Sequence, residues 1–198
     1  MNLPNKLTLA RVILAPAFMV FMVLDFGSTF RWNYLIALVL FCAASITDFA
    51  DGHIARKYNL VTNFGKFLDP LADKFLVIGA LCCLCLVEDN SLYGKILLLA
   101  TVIVVLRELA VSGLRLVVAK EGIVVPANVF GKIKTVSQIG FIISAILVLM
   151  LSNYNLPPIL LGGLSVIRAA FLVVMTVMTV ISGIIYLNSY RKYIDPSN

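Results

Sequence analysis

The stretch Thr47–Asp73, TDFADGHIARKYNLVTNFGKFLDPLAD, decides how the chain is read. It holds Asp48, Asp51, Asp69 and Asp73, four of only ten acidic residues in 198. Such a concentration in an apolar chain needs a physical cause. The first pair is spaced i, i+3 and the second i, i+4, so on helices each pair shares a face. At about 100° per residue, Asp48, Asp51, Gly52 and Ala55 lie on one stripe of a first helix. Two carboxylates followed by two small residues would admit a bulky ligand beside a metal ion. Pro70, directly after Asp69, suits the first turn of a second helix. That start would set Asp69 and Asp73 at the positive end of a helix dipole, where anions are favoured.

The rest of the composition places this stretch in a membrane. The chain is 61% hydrophobic and only 13% charged, about half the usual soluble share of charge, with a mean hydropathy of +1.02. It reads as an all-α integral membrane protein forming a single domain over residues 1–198. The net charge of +6 is not a nucleic-acid patch. Its basic residues stand between apolar runs, where they suit anionic lipid headgroups and set topology. Cys42, Cys82, Cys83 and Cys85 lie in apolar runs without zinc spacing or partner histidines, and read as small buried hydrophobes. His53, the single histidine, reads as a solvated helix residue.

Residues 1–10, MNLPNKLTLA, read as a short N-terminal interfacial helix with Pro4 near its start. Apolar runs follow at Val12–Leu24, Tyr34–Ile46, Phe75–Val87, Ile96–Leu106, Ile139–Leu151 and Ala169–Leu187. These give six transmembrane helices. Lys6 and Arg11 before the first run mimic a signal peptide, but no convincing cleavage site closes it. Only the last run approaches the roughly 20 residues that cross a bilayer; the other five are 11 to 13 residues long.

Each short run is continued at one end by polar residues: Arg11; Thr47, Asp48 and Asp51; Asp69, Asp73 and Lys74; Arg107, Glu108, Ser112 and Arg115; Lys132, Lys134 and Gln138. With helices alternating in direction, all five polar ends fall on one side. Charges at membrane depth are costly and face a cavity rather than lipid. The pattern therefore predicts a polar cavity in one half of the bilayer. Placing the N-terminus inside puts 13 of the 16 basic residues in the cytoplasm and leaves Arg31, Lys95 and Arg168 outside. The positive-inside rule then turns the cavity to the cytoplasm. Short outer loops are expected at about 27–33, 88–95 and 152–166, the last broken by Pro157, Pro158, Gly162 and Gly163.

Four carboxylates from two helices suit two hard divalent cations, Mg²⁺ or Mn²⁺, which take carboxylate and phosphate oxygens. Two such ions can clamp the attacking and leaving oxygens of a displacement at phosphorus. Arg56, beside the acids, can offer a planar fork to a diphosphate.

The stretch resembles the signature of the CDP-alcohol phosphotransferase family, D-x2-D-G-x2-A-R-x8-G-x3-D-x3-D. Asp48, Asp51, Gly52, Ala55, Arg56, Gly65, Asp69 and Asp73 match it with no position missing. Four unrelated acids on a solvated loop would not be expected to meet eight fixed residues at fixed spacing. The resemblance implies six transmembrane helices and a CDP-linked lipid whose diphosphate rests on the metals. It implies that Asp48, Asp51, Asp69 and Asp73 are metal ligands, and that Asp73 is also the catalytic base for the acceptor hydroxyl. It further implies that Thr47, Gly52, Ala55 and Arg56 line the CDP-diacylglycerol site, that CMP leaves, and that the protein is a homodimer. An aspartate near its reference pKa of about 3.9 is a weak base, so the metals must also acidify the hydroxyl or neutralise the phosphate.

NKLTLAR at Asn5–Arg11, RELAVSGLR at Arg107–Arg115 and GKIKT at Gly131–Thr135 are similar to bacterial members of the family whose acceptor is glycerol 3-phosphate. On a helix Glu108, Ser112 and Arg115 share a stripe, and Arg115 with Lys132 and Lys134 can form a basic cup for the acceptor phosphate. The expected reaction is transfer of a phosphatidyl group from CDP-diacylglycerol to sn-glycerol 3-phosphate in phospholipid biosynthesis, at the plasma membrane and facing the cytoplasm. The alternatives are another acceptor (inositol phosphate, serine or phosphatidylglycerol) or, from a different class, a cation transporter. A transporter would spread its acids through the membrane depth, whereas here they gather on one side.

Overall fold

In a computed structural model the described residues form six α-helices: α1 Leu3–Val23, α2 Trp32–Tyr58, α3 Asn63–Val87, α4 Leu92–Lys120, α5 Val129–Leu151 and α6 Pro158–Ser189. The structure describes residues 3–24, 32–58, 63–88, 91–120, 129–152, 154 and 156–190; for 3–4, 48–58, 63–67, 69–70 and 119–120 it describes the backbone alone. Each helix carries one of the six apolar runs, the first of which passes the end of α1 by Leu24. Four carry stretches long and apolar enough to cross a bilayer: Asn5–Val23, Leu92–Val118, Val129–Leu151 and Pro158–Ser189. A shorter apolar stretch, Trp32–Thr47, leads α2 into the aspartates. The chain is a multi-pass membrane protein.

Its outward faces agree with that solvent. Ile13, Val39, Leu99 and Val173 are 64%, 59%, 66% and 61% exposed, on four different helices. An aqueous surface seldom carries so much contiguous apolar area, whereas lipid tails accept it. Inside, α5 lies along α6 and α1 along α2, with α1 also on α3, α4 on α6 and α2 on α5. Phe18 and Phe41 meet in the core at a ring-centroid distance of 5.5 Å, among Leu81, Leu84, Leu97, Phe141, Ile142 and Met175. Without a hydrophobic drive between helices in lipid, close approach at small residues supplies the contact. At Gly140 an added Cβ would stand 2.7 Å from the Phe171 ring, so this glycine lets α5 and α6 close on each other.

Three expectations are corrected here. Residues 3–10 are the first turns of α1 and not a separate interfacial helix. No helix breaker separates them from Arg11, and Asn5, Thr8 and Arg11, spaced i, i+3, i+6, are all buried against the bundle. Second, α3 begins at Asn63, so Pro70 lies inside the helix and Asp69 and Asp73 are in its body. Apolar Phe64, Phe67, Leu68 and Leu71 keep helical spacing across the proline, and the dipole argument, confined to a first turn, no longer applies to Asp69 and Asp73. Third, the connection before α6 is shorter than 152–166, because the helix starts at Pro158. Proline is favoured at a helix start, and Gly162 and Gly163 are helical residues, as glycine often is in membrane helices.

At the far end of α3 from the aspartates, Arg168 Nη1 donates to Glu88 Oε1 at 2.5 Å and its guanidinium lies 4.1 Å from the Tyr93 ring centroid. This ties the C-terminal end of α3 and the start of α4 to the body of α6. Of the cysteines, Cys83 is buried and Cys42 and Cys85 are half-buried, but Cys82 faces outward, contrary to its reading as buried. A thiol behaves as a small hydrophobe, so lipid accepts it as readily as a core does.

Candidate active site

Each helix that runs past its apolar stretch carries polar side chains toward the same end of the bundle. On α3 this brings Asp73 and Lys74, on α4 Arg107, Glu108, Ser112 and Arg115, on α5 Lys132, Lys134 and Thr135, and on α6 Tyr186. All of them line one cavity of about 610 Å³. The i, i+4, i+7 stripe of Glu108, Ser112 and Arg115 faces it as the spacing predicts. Among the described residues of its lining, Lys74, Arg107, Arg115, Lys132 and Lys134 stand against Asp73 and Glu108, five cations to two carboxylates. A cavity with that balance favours an anion of more than one charge.

Its electrostatics are organised by Glu108. One carboxylate oxygen accepts from both Lys134 Nζ and Arg107 Nη1, the latter at 3.1 Å. The three side chains are 13%, 8% and 11% exposed, so this is a nearly buried triad. Buried charges are tolerated when paired and hydrogen-bonded, and Glu108 lets two cations stand at membrane depth. Ser112 Oγ donates back to the Glu108 carbonyl, which leaves its oxygen lone pairs as acceptors.

Arg115 is held differently. Its Nη2 donates to the Tyr186 hydroxyl at 3.1 Å, and its guanidinium carbon stands 5.4 Å from the Tyr186 ring centroid. The Arg107 guanidinium is 5.6 Å from the same centroid. Tyr186, only 4% exposed, rests on Val111, Leu114 and Val118 of α4. Lys132, by contrast, is exposed.

The expected acceptor residues Arg115, Lys132 and Lys134 therefore come together, and Asp73 joins them at the cavity wall. Thr47 is half-buried, and its hydroxyl donates to the Ala44 carbonyl at 2.8 Å, which leaves its lone pairs as acceptors. Asp48, Asp51, Gly52, Ala55 and Arg56 lie on helical backbone of α2 and Asp69 on that of α3. Their side chains, like that of His53, lie outside the described residues. The donor set of the signature, four carboxylates on two helices, is all hard oxygen, which fits Mg²⁺ or Mn²⁺ and not a thiophilic metal. Reading by spacing missed Lys74, Arg107 and Tyr186. The two cations stood among the polar continuations of α3 and α4, whereas Tyr186 sits in an apolar run and gave no signal.

Comparison with known proteins identifies the family. A family model described as CDP-alcohol phosphatidyltransferase matches residues 1–184. A Bacillus subtilis protein named CDP-diacylglycerol--glycerol-3-phosphate 3-phosphatidyltransferase is 42% identical over 205 residues, covering 100% of this chain and 99% of its own length. A Rickettsia bellii protein of the same name is 41% identical over 193 residues, 97% of each chain. A Mycobacterium tuberculosis protein named "Probable phosphatidylglycerophosphate synthase" is 38% identical over 185 residues, 93% of this chain and 79% of that one. The chain belongs to the CDP-alcohol phosphatidyltransferase family.

Proposed function

We propose that the protein transfers the phosphatidyl group of CDP-diacylglycerol to sn-glycerol 3-phosphate, giving phosphatidylglycerophosphate and CMP. The observation that carries this reading is the shared cavity: Asp73 of the signature and the cations Arg115, Lys132 and Lys134 line one volume. The CDP diphosphate engages the signature, so a phosphorylated acceptor needs a second anion site beside it, and the cation cluster supplies one. The relatives' names point to the same acceptor.

In the reaction the acceptor hydroxyl oxygen forms a bond to the phosphatidyl phosphorus while the bond to CMP breaks. Thr47, Gly52, Ala55 and Arg56 line the CDP-diacylglycerol site, with the Arg56 fork toward the diphosphate. Asp48, Asp51, Asp69 and Asp73 would hold two divalent cations, Mg²⁺ or Mn²⁺. When bound, such ions neutralise charge on the diphosphate and lower the acidity barrier of the hydroxyl. Asp73 takes the proton. Its reference pKa of about 3.9 makes it a weak base, so the transfer comes late, once the attacking oxygen is bonding to phosphorus and its proton has become strongly acidic. Arg115, Lys132 and Lys134 bind the acceptor phosphate and keep its hydroxyl turned toward the signature.

The same reading makes all six helices membrane spans of a plasma-membrane enzyme, with the cavity in the cytoplasmic half of the bilayer and a homodimer as the working form. The basic asymmetry of the chain, 13 residues to 3, supports the orientation. The test is release of CMP from CDP-diacylglycerol with and without glycerol 3-phosphate, followed by identification of the lipid formed from a panel of acceptors. Dependence on glycerol 3-phosphate is expected, with no turnover on serine or free inositol. Good turnover with serine would keep the family and remove this acceptor.

A further inference from the structure

The last helix looks chemically silent in sequence, yet it contributes Tyr186 to the cavity. The ring is explained by packing: it fills a small apolar cluster with Val111, Leu114 and Val118. The hydroxyl is not explained by packing, because a phenylalanine would fill the same space. Its visible work is to accept from Arg115 Nη2 at 3.1 Å. Arg115 is itself exposed, and a long exposed side chain has many rotamers to lose before it can bind a ligand in one geometry. The hydrogen bond uses one of five guanidinium donors and leaves the rest of the fork for an anion. Two guanidinium groups also lie near the ring, their carbons 5.4 Å (Arg115) and 5.6 Å (Arg107) from its centroid. Two cations that would repel each other can share the negative faces of one aromatic ring. Gly183, one turn earlier on α6, keeps room for this: an added Cβ would stand 3.1 Å from the Arg107 Cγ.

We propose that Tyr186 is a positioning residue for the acceptor phosphate: its hydroxyl and ring hold Arg115, and its ring steadies Arg107, in the orientation that meets the incoming anion. This rests on the reading above that Arg115 binds that phosphate. Tyr186 does not touch the reacting atoms. It acts through Arg115, and so it governs acceptor affinity and not the use of CDP-diacylglycerol.

The experiment compares Tyr186→Phe, Tyr186→Leu, Arg115→Ala and the double variant Tyr186→Phe/Arg115→Ala in the purified full-length enzyme. KM is measured for glycerol 3-phosphate and for CDP-diacylglycerol, with thermal denaturation of each protein. Tyr186→Phe is expected to raise KM for glycerol 3-phosphate by about three- to tenfold, the weight of one net hydrogen bond. KM for CDP-diacylglycerol and the melting temperature should stay near wild type. Tyr186→Leu, which also removes the ring, should raise the acceptor KM further. In the Arg115→Ala background, Tyr186→Phe should add nothing, because its effect passes through that arginine. If Arg115→Ala raises the acceptor KM and Tyr186→Phe does not, the role of Tyr186 is overturned and the acceptor site stands. If Arg115→Ala itself leaves the acceptor KM unchanged, the acceptor site and the role of Tyr186 fail together. Equal rises for both substrates, or an undiminished effect of Tyr186→Phe without Arg115, would reduce the tyrosine to a packing residue.

Discussion

Lys134 on α5 and Glu108 on α4 form an ion pair in the wall of the cavity, and both side chains are almost shielded from solvent. They are 26 residues apart in the chain, and the pair joins two helices at the point where each leaves its apolar stretch. Arg107 shares the same carboxylate oxygen. The charges of the cavity are thus balanced in part from within before any ligand arrives. That balance makes a net-positive cavity compatible with a membrane fold, since uncompensated buried charge costs several kcal/mol per ion.

This pair gives the first prediction. Glu108→Gln leaves Lys134 and Arg107 without their shared counter-ion, and removal of one partner from a buried pair costs about 3–5 kcal/mol. A lower melting temperature in detergent is expected even without substrate. The double variant Glu108→Gln/Lys134→Met should recover part of the loss, because the remaining charge is removed along with its partner. Equal melting temperatures for wild type and Glu108→Gln would show that the pair carries no stability.

Metal dependence follows from the donor set of the signature. Asp48→Ala, Asp51→Ala and Asp69→Ala should each abolish CMP release, and a chelator should do the same to the wild type, reversibly on adding Mg²⁺. Each variant should remain folded by thermal denaturation, since the loss is of ligands and not of core. Full turnover in metal-free buffer would remove the two-cation reading.

Asp73 lines the cavity that also holds Arg115, Lys132 and Lys134, so it is tested by its own substitution. Asp73→Asn keeps the shape and the oxygen ligand but not the base. Turnover should be lost while CDP-diacylglycerol still binds, which equilibrium binding of a labelled CDP-lipid would measure. A variant that turns over near the wild-type rate would assign the proton to another group.

Orientation is open to a chemical test. In a background with Cys42, Cys82, Cys83 and Cys85 replaced, a cysteine at Lys120 should react with a membrane-impermeant thiol reagent only from the cytoplasmic side. One at Asn155 should react only from outside. Lys120 is the last residue of α4, and Asn155 falls in the sequence between α5 and α6. The reverse labelling would overturn the orientation and the cytoplasmic cavity together.

The helices themselves were legible because hydropathy is a local property. Five of the six apolar runs lie wholly inside the helices found, and the first passes the end of α1 by one residue, Leu24. Of the polar continuations of those runs, Asp73, Lys74, Arg107, Glu108, Ser112, Arg115, Lys132 and Lys134 line one cavity, since a charge that cannot face lipid has few other places to go. The signature spacing placed Asp48 and Asp51 on one helix and Asp69 and Asp73 on the next. Helix boundaries were less legible. Pro70, Gly162 and Gly163 are breakers by local propensity, and each is helical in the fold, because an apolar face buried in its surroundings outweighs one weak position.

What the sequence by itself determined is the membrane class and the places of the helices along the chain, which follow from composition, period and spacing within a single helix. Only the tertiary structure decided which of those side chains hold one another. Glu108 joins Lys134 across 26 residues and Arg115 joins Tyr186 across 71. Neither separation has a period that spacing could reveal. Both contacts depend on how α4 stands against its neighbours, and that is set by side-chain volume and close approach, as where Gly183 leaves room for Arg107. Helix periodicity acts over a few residues, whereas packing selects among whole helices. The tyrosine that steadies the arginines therefore emerged only once α6 was laid against α4.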